Sequence, residues 1–317
     1  MASIELRRLA KDFVSIRDLA PADLVALLDL AARLKAERVL RHRAPTATAL
    51  AGLHVATLFE KPSLRTRATF EIGVRELGGD ILDLPAPFAD GVREPLPDVA
   101  RNLERWADAL VVRTYAQSKV TTLAESAPRL HVINALTDEE HPCQALADML
   151  TVQEHWENCR GRTIAFIGDG NNTATSLTHA ALMLGIHVHL ATPQGFELPS
   201  RVVEDAMRTA RDGAVLRRFH DPREAVAHAD AVYTDVWTSM GKEAEAATRS
   251  AVFQPYQVNA QLMDAATPGA LFMHCLPAHR GDEVTAEVIE SPASAVFDQA
   301  ENRLHTQKAL LLMMLGA

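Results

Sequence analysis

Short apolar runs, each stopping at a polar cluster and followed by helix-patterned sequence, recur along this chain. HVATLF (54–59) leads to Ser63-Leu64-Arg65-Thr66-Arg67, and ALVV (109–112) stops at Arg113-Thr114. RTIAFIG (162–168) runs into Asp169-Gly170-Asn171-Asn172, AVYTDVW (231–237) into Ser239-Met240-Gly241, and LFMHCLP (271–277) ends in its own polar cluster. Short strands alternating with helices argue for parallel sheets wrapped by helices. The expected fold is α/β, with two doubly wound parallel-sheet domains joined by interdomain helices. In such sheets ligands bind beyond the carboxyl ends of strands, which is where these clusters fall. A cleft between two α/β units is the expected active site.

The first unit is expected to span 1–137. It has a helix over about 20–40, a strand at 54–59, a helix over 64–77 ending at Gly78-Gly79, and a strand near 80–84. The stretch 85–97, PAPFADGVREPLP, is rich in proline and without period, so it reads as a surface loop. A helix near 97–107 and strands at 109–114 and 131–135 follow. A long helix at 141–156 bridges to a second unit over 138–300, and a last helix at 301–315, within a segment 301–317, completes the first unit.

A length of 317 residues, 48% of them apolar, suits two cores rather than one. No apolar run reaches membrane-spanning length, and the start MASIELRRLAKDF lacks a signal-peptide core. A formal charge of −9 argues against a general nucleic-acid binder, so the arginine clusters must serve a local purpose. Three widely spaced cysteines, Cys143, Cys159 and Cys275, fit a reducing cytoplasm.

The cluster at 63–67 opens a helix, whose first turn has unpaired N–H groups and a partial positive charge. Arginine adds a fork that matches phosphate. No Walker lysine accompanies it, so the segment reads as a site for a small phosphorylated ligand, with an ordinary Ser63 cap as the bland alternative. His141-Pro142-Cys143-Gln144 opens another helix. A histidine there is expected to stay neutral, and His141 and Gln144, on one face, can hold a carbonyl and an amide of one planar ligand. Cys143 reads as a small core residue. The 168–172 turn lacks the third glycine of a dinucleotide fingerprint, so its asparagines suit an amino-acid ligand or a plain Asx turn. Asp235 offers a counter-charge for an ammonium group. His274 and Cys275, adjacent on a strand, point to opposite faces and make a poor nucleophilic dyad. His-x-Cys without a matching second pair gives no reason to expect a metal.

Taken in order, these strings resemble the aspartate/ornithine carbamoyltransferase family, and its ornithine branch most closely. The motifs are Ser-x-Arg-Thr-Arg at 63–67, His-Pro-Cys-Gln at 141–144, Asp-x-Trp-x-Ser-Met-Gly at 235–241, His-Cys-Leu-Pro at 274–277 and Glu-Asn-Arg-x-His at 301–305. The resemblance implies transfer of the carbamoyl group from carbamoyl phosphate to L-ornithine, giving L-citrulline and phosphate, without metal or organic cofactor. It implies a carbamoyl-phosphate domain, an ornithine domain, and a homotrimer or a multiple of trimers with sites at subunit boundaries. Carried over by position, Ser63, Leu64, Arg65 and Thr66 hold the phosphate, and Arg113, His141, Gln144 and Arg303 the carbamoyl end. Asn172, Asp235, Ser239 and Met240 hold ornithine's α-amino and carboxylate groups. Cys275 and Leu276 lie beside the reacting amine, with Leu276-Pro277 cis. The catalytic set is then Arg65, Thr66, Arg113, His141 and Cys275.

One segment departs from the family pattern. Counting back from Asp98 puts Ala89 where the family has a glutamine that reaches carbamoyl phosphate in the neighbouring subunit. Alanine cannot donate a hydrogen bond, and Arg93 is the nearest replacement. The departure keeps open a carbamoyltransferase for a related amine in a specialised pathway, and a non-catalytic ornithine-binding homologue.

Overall fold

The structure, a computed structural model, describes residues 7–86, 94–238 and 243–316. The chain divides into two units, 1–150 with 302–317, and 151–301.

In the first unit the elements are α1 (Pro21–Glu37), β1 (His54–Phe59), α2 (Leu64–Glu76), β2 (Asp80–Leu84), α3 (Leu96–Leu103), β3 (Ala109–Arg113), α4 (Gln117–Ser126), β4 (His131–Leu136) and the start of α5 (Pro142–His155). The strands pair in parallel in the order β2-β1-β3-β4. VATLF, ALVVR and VINAL are buried almost without break, because helices cover both faces of a parallel sheet. β2, DILDL, is mostly exposed and carries Asp80 and Asp83, as a sheet edge tolerates. Leu58, Leu103, Leu110, Val112, Leu123 and Val132 pack the core on one side of the sheet.

In the second unit β5 (Thr163–Ile167), α6 (Asn172–Met183), β6 (His187–Ala191), α7 (Ser200–Thr209), β7 (Leu216–Phe219), α8 (Pro222–Val226), β8 (Ala231–Thr234), α9 (Ala246–Phe253), α10 (Ala260–Met263), β9 (Leu271–His274) and α11 (Ala286–Ile289) precede α12 (Val296–Leu315). Their sheet is parallel in the order β7-β6-β5-β8-β9. Ile167, Val232, Phe272, Val284 and Val288 lie at the centre of its core. The strand order reverses between β1 and β3 in one sheet and between β5 and β8 in the other. Ligands of open parallel sheets bind at such switch points.

Four features differ from the sequence reading. The helix α4 and the edge strand β7 were not anticipated. α12 begins at Val296 rather than 301. The division falls at 150/151 rather than 137/138. His141 and Gln144 therefore belong to the first unit. The start of α5 is tied there by Cys143 Sγ donating to the Asn134 carbonyl at 3.4 Å, and by Gln144 accepting from Arg303.

Candidate active site

In the first unit the candidate site is built where β1 and β3 end. Ser63, in extended backbone, caps α2 by accepting from the Thr66 N–H at 3.2 Å. The bland reading of Ser63 is thus realised, and it fixes the helix start that presents the neighbouring side chains. Leu64 is 78% exposed, Arg65 is half-buried, and Thr66 is buried. Arg67 is turned away. It pairs with Asp83 on β2 and lies over the Phe59 ring.

Arg303, 2% exposed on α12, joins three motifs that are far apart in sequence. Its Nη1 donates to Gln144 Oε1 at 3.0 Å, and its Nη2 donates to Thr66 Oγ1. Among the described residues no hydrogen bond uses the Thr66 hydroxyl proton, which a hydroxyl accepting from Arg303 still has to give. Arg113 is buried at the end of β3, and His141 is buried at the start of α5. His141 is held well below the ordinary histidine range, first by burial and then by the positive charges of Arg303, Arg113, Arg65 and Lys61. The leading cause is desolvation, with the arginines next, rather than the helix terminus. A neutral His141 among cationic side chains suits a site for an anion. Cys143 is core, its thiol pushed up to about 12 by burial.

His305, one turn on from Asn302 in α12, is held at about 3, first by burial and then by Lys308, Lys35 and Arg38. Its folded pKa lies below the unfolded value, about 6.5. As pH falls below about 6.5 the unfolded chain takes up a proton that the folded chain refuses, so stability present above that pH is lost. We expect the urea midpoint to drop between pH 7 and 5, and His305→Asn to flatten that slope. An equal slope in the two proteins rejects this cause.

In the second unit the candidate site gathers at the ends of β5, β8 and β9. Gly168 has φ 131°, and a Cβ at Gly170 would lie 2.5 Å from the Leu198 nitrogen, so both glycines serve the turn. Asn171 caps α6 by accepting from the N–H groups of Thr173 and Ala174. Its Nδ2 donates to Asp235 Oδ2 at 2.8 Å, while Cys275 Sγ donates to Asp235 Oδ1 at 3.0 Å. Asp235 is 7% exposed. Asn172, the residue expected to touch ligand, opens α6, and its Oδ1 accepts from the Thr173 N–H. The Leu276-Pro277 bond is cis. Ser239 and Met240, and the loop residues Ala89 and Arg93, lie outside the described residues.

Asp235, His274 and Cys275 bring possible metal-ligand atoms within 4.8 Å of one another. The His274 ring is committed to the fold, however. Its Nδ1 accepts from the Leu276 N–H at 2.8 Å and its Nε2 faces buried Glu283 at 3.1 Å. Both ring nitrogens of His274 are thus engaged elsewhere, and Cys275 Sγ is engaged with Asp235, although the ring and the thiol are close.

Family models match in two parts. "Aspartate/ornithine carbamoyltransferase, carbamoyl-P binding domain" covers 11–154, and "Aspartate/ornithine carbamoyltransferase, Asp/Orn binding domain" covers 160–314. This chain belongs to the aspartate/ornithine carbamoyltransferase family. It is 48% identical to the ornithine carbamoyltransferase of Carboxydothermus hydrogenoformans, over 96% of this chain and 98% of that one. It is 47% identical to that of a Nostoc species, over 98% of each. The solved ornithine carbamoyltransferase of Pyrococcus furiosus superposes with a TM-score of 0.91 at 43% identity, covering 99% of each chain. That of Thermus thermophilus gives 0.87 at 43%, covering 97% of this chain and 99% of the other.

The contacts of three residues are absent from the sequence reading. Asn171, the first of the two asparagines in the turn, holds Asp235. Arg249, 4% exposed on α9, pairs with Asp169, donates to the Trp237 carbonyl, and stacks 4.8 Å from the Phe196 ring centre and 5.0 Å from that of Phe253. It thereby ties the chain on both sides of 239–242 to the turn after β5. Its only signal in the sequence is an arginine one helical turn before a phenylalanine. The third, Asp148, accepts from Gln144.

Proposed function

We propose that this chain transfers the carbamoyl group of carbamoyl phosphate to the side-chain amine of L-ornithine, giving L-citrulline and phosphate. The observation that carries the reading is Arg303 bonded at once to Thr66 and Gln144, beside a neutral, buried His141. Ser63, Leu64, Arg65 and Thr66 hold the phosphate. Arg113, His141, Gln144 and Arg303 hold the carbamoyl group. Asn172, Asp235, Ser239 and Met240 hold the α-amino and carboxylate ends of ornithine, and Cys275 and Leu276 flank its reacting amine.

The uncharged amine attacks the carbonyl carbon, a C–N bond forms, and negative charge builds on the carbonyl oxygen. The Thr66 hydroxyl, the Arg113 guanidinium and the His141 N–H stabilise that charge as donors that the fold holds ready before the substrate arrives. The bond from carbon to the phosphate oxygen then breaks with its electron pair going to that oxygen, the phosphate leaves toward the arginines, and it takes up the extra proton of the amine. His141 acts as a neutral donor rather than an acid. Cys275 donates to Asp235, an arrangement for holding an ammonium group rather than for nucleophilic attack.

We further propose a homotrimer or a multiple of trimers. The first unit exposes Ile72 on α2 and Leu82 on the edge strand β2, apolar side chains of the kind a subunit contact covers. No described helix is long and apolar enough to cross a membrane. The cysteines are free, in keeping with a reducing cytoplasm, and the step belongs to arginine synthesis or breakdown.

An acceptor panel tests the assignment. Ornithine should be carbamoylated at least tenfold more efficiently than lysine, putrescine or N-acetylornithine, an estimate of about one lost charged contact. A different preferred amine would move the chain to the specialised reading. Ala89→Gln should lower the Michaelis constant for carbamoyl phosphate about tenfold or less, the scale of one neutral hydrogen bond. Arg93→Ala should raise it if Arg93 has taken the role. No change from either would show that the loop does not reach the site.

A further inference from the structure

Asp148 lies one helical turn after Gln144 in α5 and is fully buried, yet the reaction as written gives it no role. Gln144 Nε2 donates to Asp148 Oδ1 at 2.8 Å. On the other side of the same amide, Gln144 Oε1 accepts from Arg303 Nη1 at 3.0 Å. A side-chain amide can turn by half a rotation and exchange its oxygen for its nitrogen, and only its partners decide which way it stands. Here the two partners agree. A carboxylate only accepts, and a guanidinium only donates. The reversed amide would set N–H against N–H at Arg303 and oxygen against oxygen at Asp148, in a buried place where each mismatch is costly.

We infer that Asp148 is a positioning residue that fixes the donor–acceptor sense of Gln144, so that the amide oxygen faces the side of Arg303 and Thr66 and selects a ligand that presents an N–H there. The inference rests on the carbamoyl-phosphate reading and adds a reason for its choice of ligand. The carbamoyl NH2 group can donate to the second lone pair of Gln144 Oε1. A carboxylate or ester oxygen in the same place meets another acceptor.

The test compares two competitive inhibitors against carbamoyl phosphate, phosphonoacetamide and phosphonoacetate. They differ by an NH2 group and an oxygen at this position. The readout is the ratio of inhibition constants, acid over amide, in the full-length enzyme and in Asp148→Asn. Asparagine can offer either group to Gln144, so one of the two constraints on its sense is gone. The ratio should fall about tenfold, while the Michaelis constant for ornithine stays within about twofold. On a Gln144→Ala background the same substitution should leave the ratio unchanged, which a general loosening of α5 would not do. If Asp148→Asn fails to fold, Asp148→Ser, with a hydroxyl that donates or accepts, carries the same expectation. A ratio that does not move in the folded variant overturns the inference, and so does one that moves equally without Gln144. Failure of the unaltered protein to bind either phosphonate overturns the carbamoyl-phosphate reading, and this inference with it.

Discussion

Arg65→Ala is expected to abolish nearly all carbamoyl transfer while the protein stays folded. Arg65 stands half-buried in the first turn of α2, beside a cap made by Ser63 and an exposed Leu64, and is no part of the buried apolar core. Its charge nevertheless reaches buried His141. Arg67, the other arginine of the motif, is engaged with Asp83 and cannot substitute. Each charge-assisted hydrogen bond to phosphate is worth roughly 1.5–3 kcal/mol, so losing a two-pronged fork costs on the order of 3–6 kcal/mol. That is roughly two to four orders of magnitude in kcat/KM for carbamoyl phosphate. Arg65→Lys keeps the charge without the fork and should recover only part of it. The check is steady-state kinetics beside a urea melt. Unchanged turnover in a folded Arg65→Ala protein contradicts the site.

The second large effect belongs to Asp235. Its carboxylate is almost fully buried and receives Asn171 at one oxygen and Cys275 at the other. Asp235→Asn keeps the shape, removes the charge, and sets an NH2 group against one of those two donors. The lost pairing with ornithine's ammonium group should cost roughly 1.5–3 kcal/mol, or about 10- to 150-fold in kcat/KM for ornithine. The Michaelis constant for carbamoyl phosphate should hold, because Asp235 lies in the second unit and the residues proposed to hold the phosphate lie in the first. A matching loss for both substrates would show that Asp235 supports the fold rather than the ligand.

The strands were legible where burial is complete. β1 runs over 54–59 as the apolar run does, because a strand covered on both faces must be apolar throughout. β7 escaped notice because it is an edge. Its sequence, LRRF, places Arg217 and Arg218 in solvent and breaks the apolar signal. α4 escaped because QSKVTTLAES has three buried apolar residues among polar and β-branched ones. The site was legible as motifs, but not as contacts. Thr66, Gln144 and Arg303 each stand in a recognisable string, and no spacing in the sequence says that one guanidinium joins the other two. For the same reason the sequence does not tell the roles of Asn171 and Asn172 apart. Both suit a helix cap, and only the fold shows which amide faces Asp235. Arg249 was invisible because a buried charge is recognised by its partner, and Asp169, 80 positions away, is chosen by the fold. Asp148 stands one helical turn from Gln144, a spacing that the sequence does offer, but burial alone separates it from an ordinary solvated acid.

The central claim is most directly tested by following both products of one reaction. Carbamoyl phosphate labelled in its carbon is mixed with ornithine and the unaltered protein. Labelled citrulline and inorganic phosphate should appear together in a ratio of about one to one, and both should vanish in Arg65→Ala. Phosphate released without label in citrulline, or no turnover with ornithine under conditions where another amine reacts, would contradict the account.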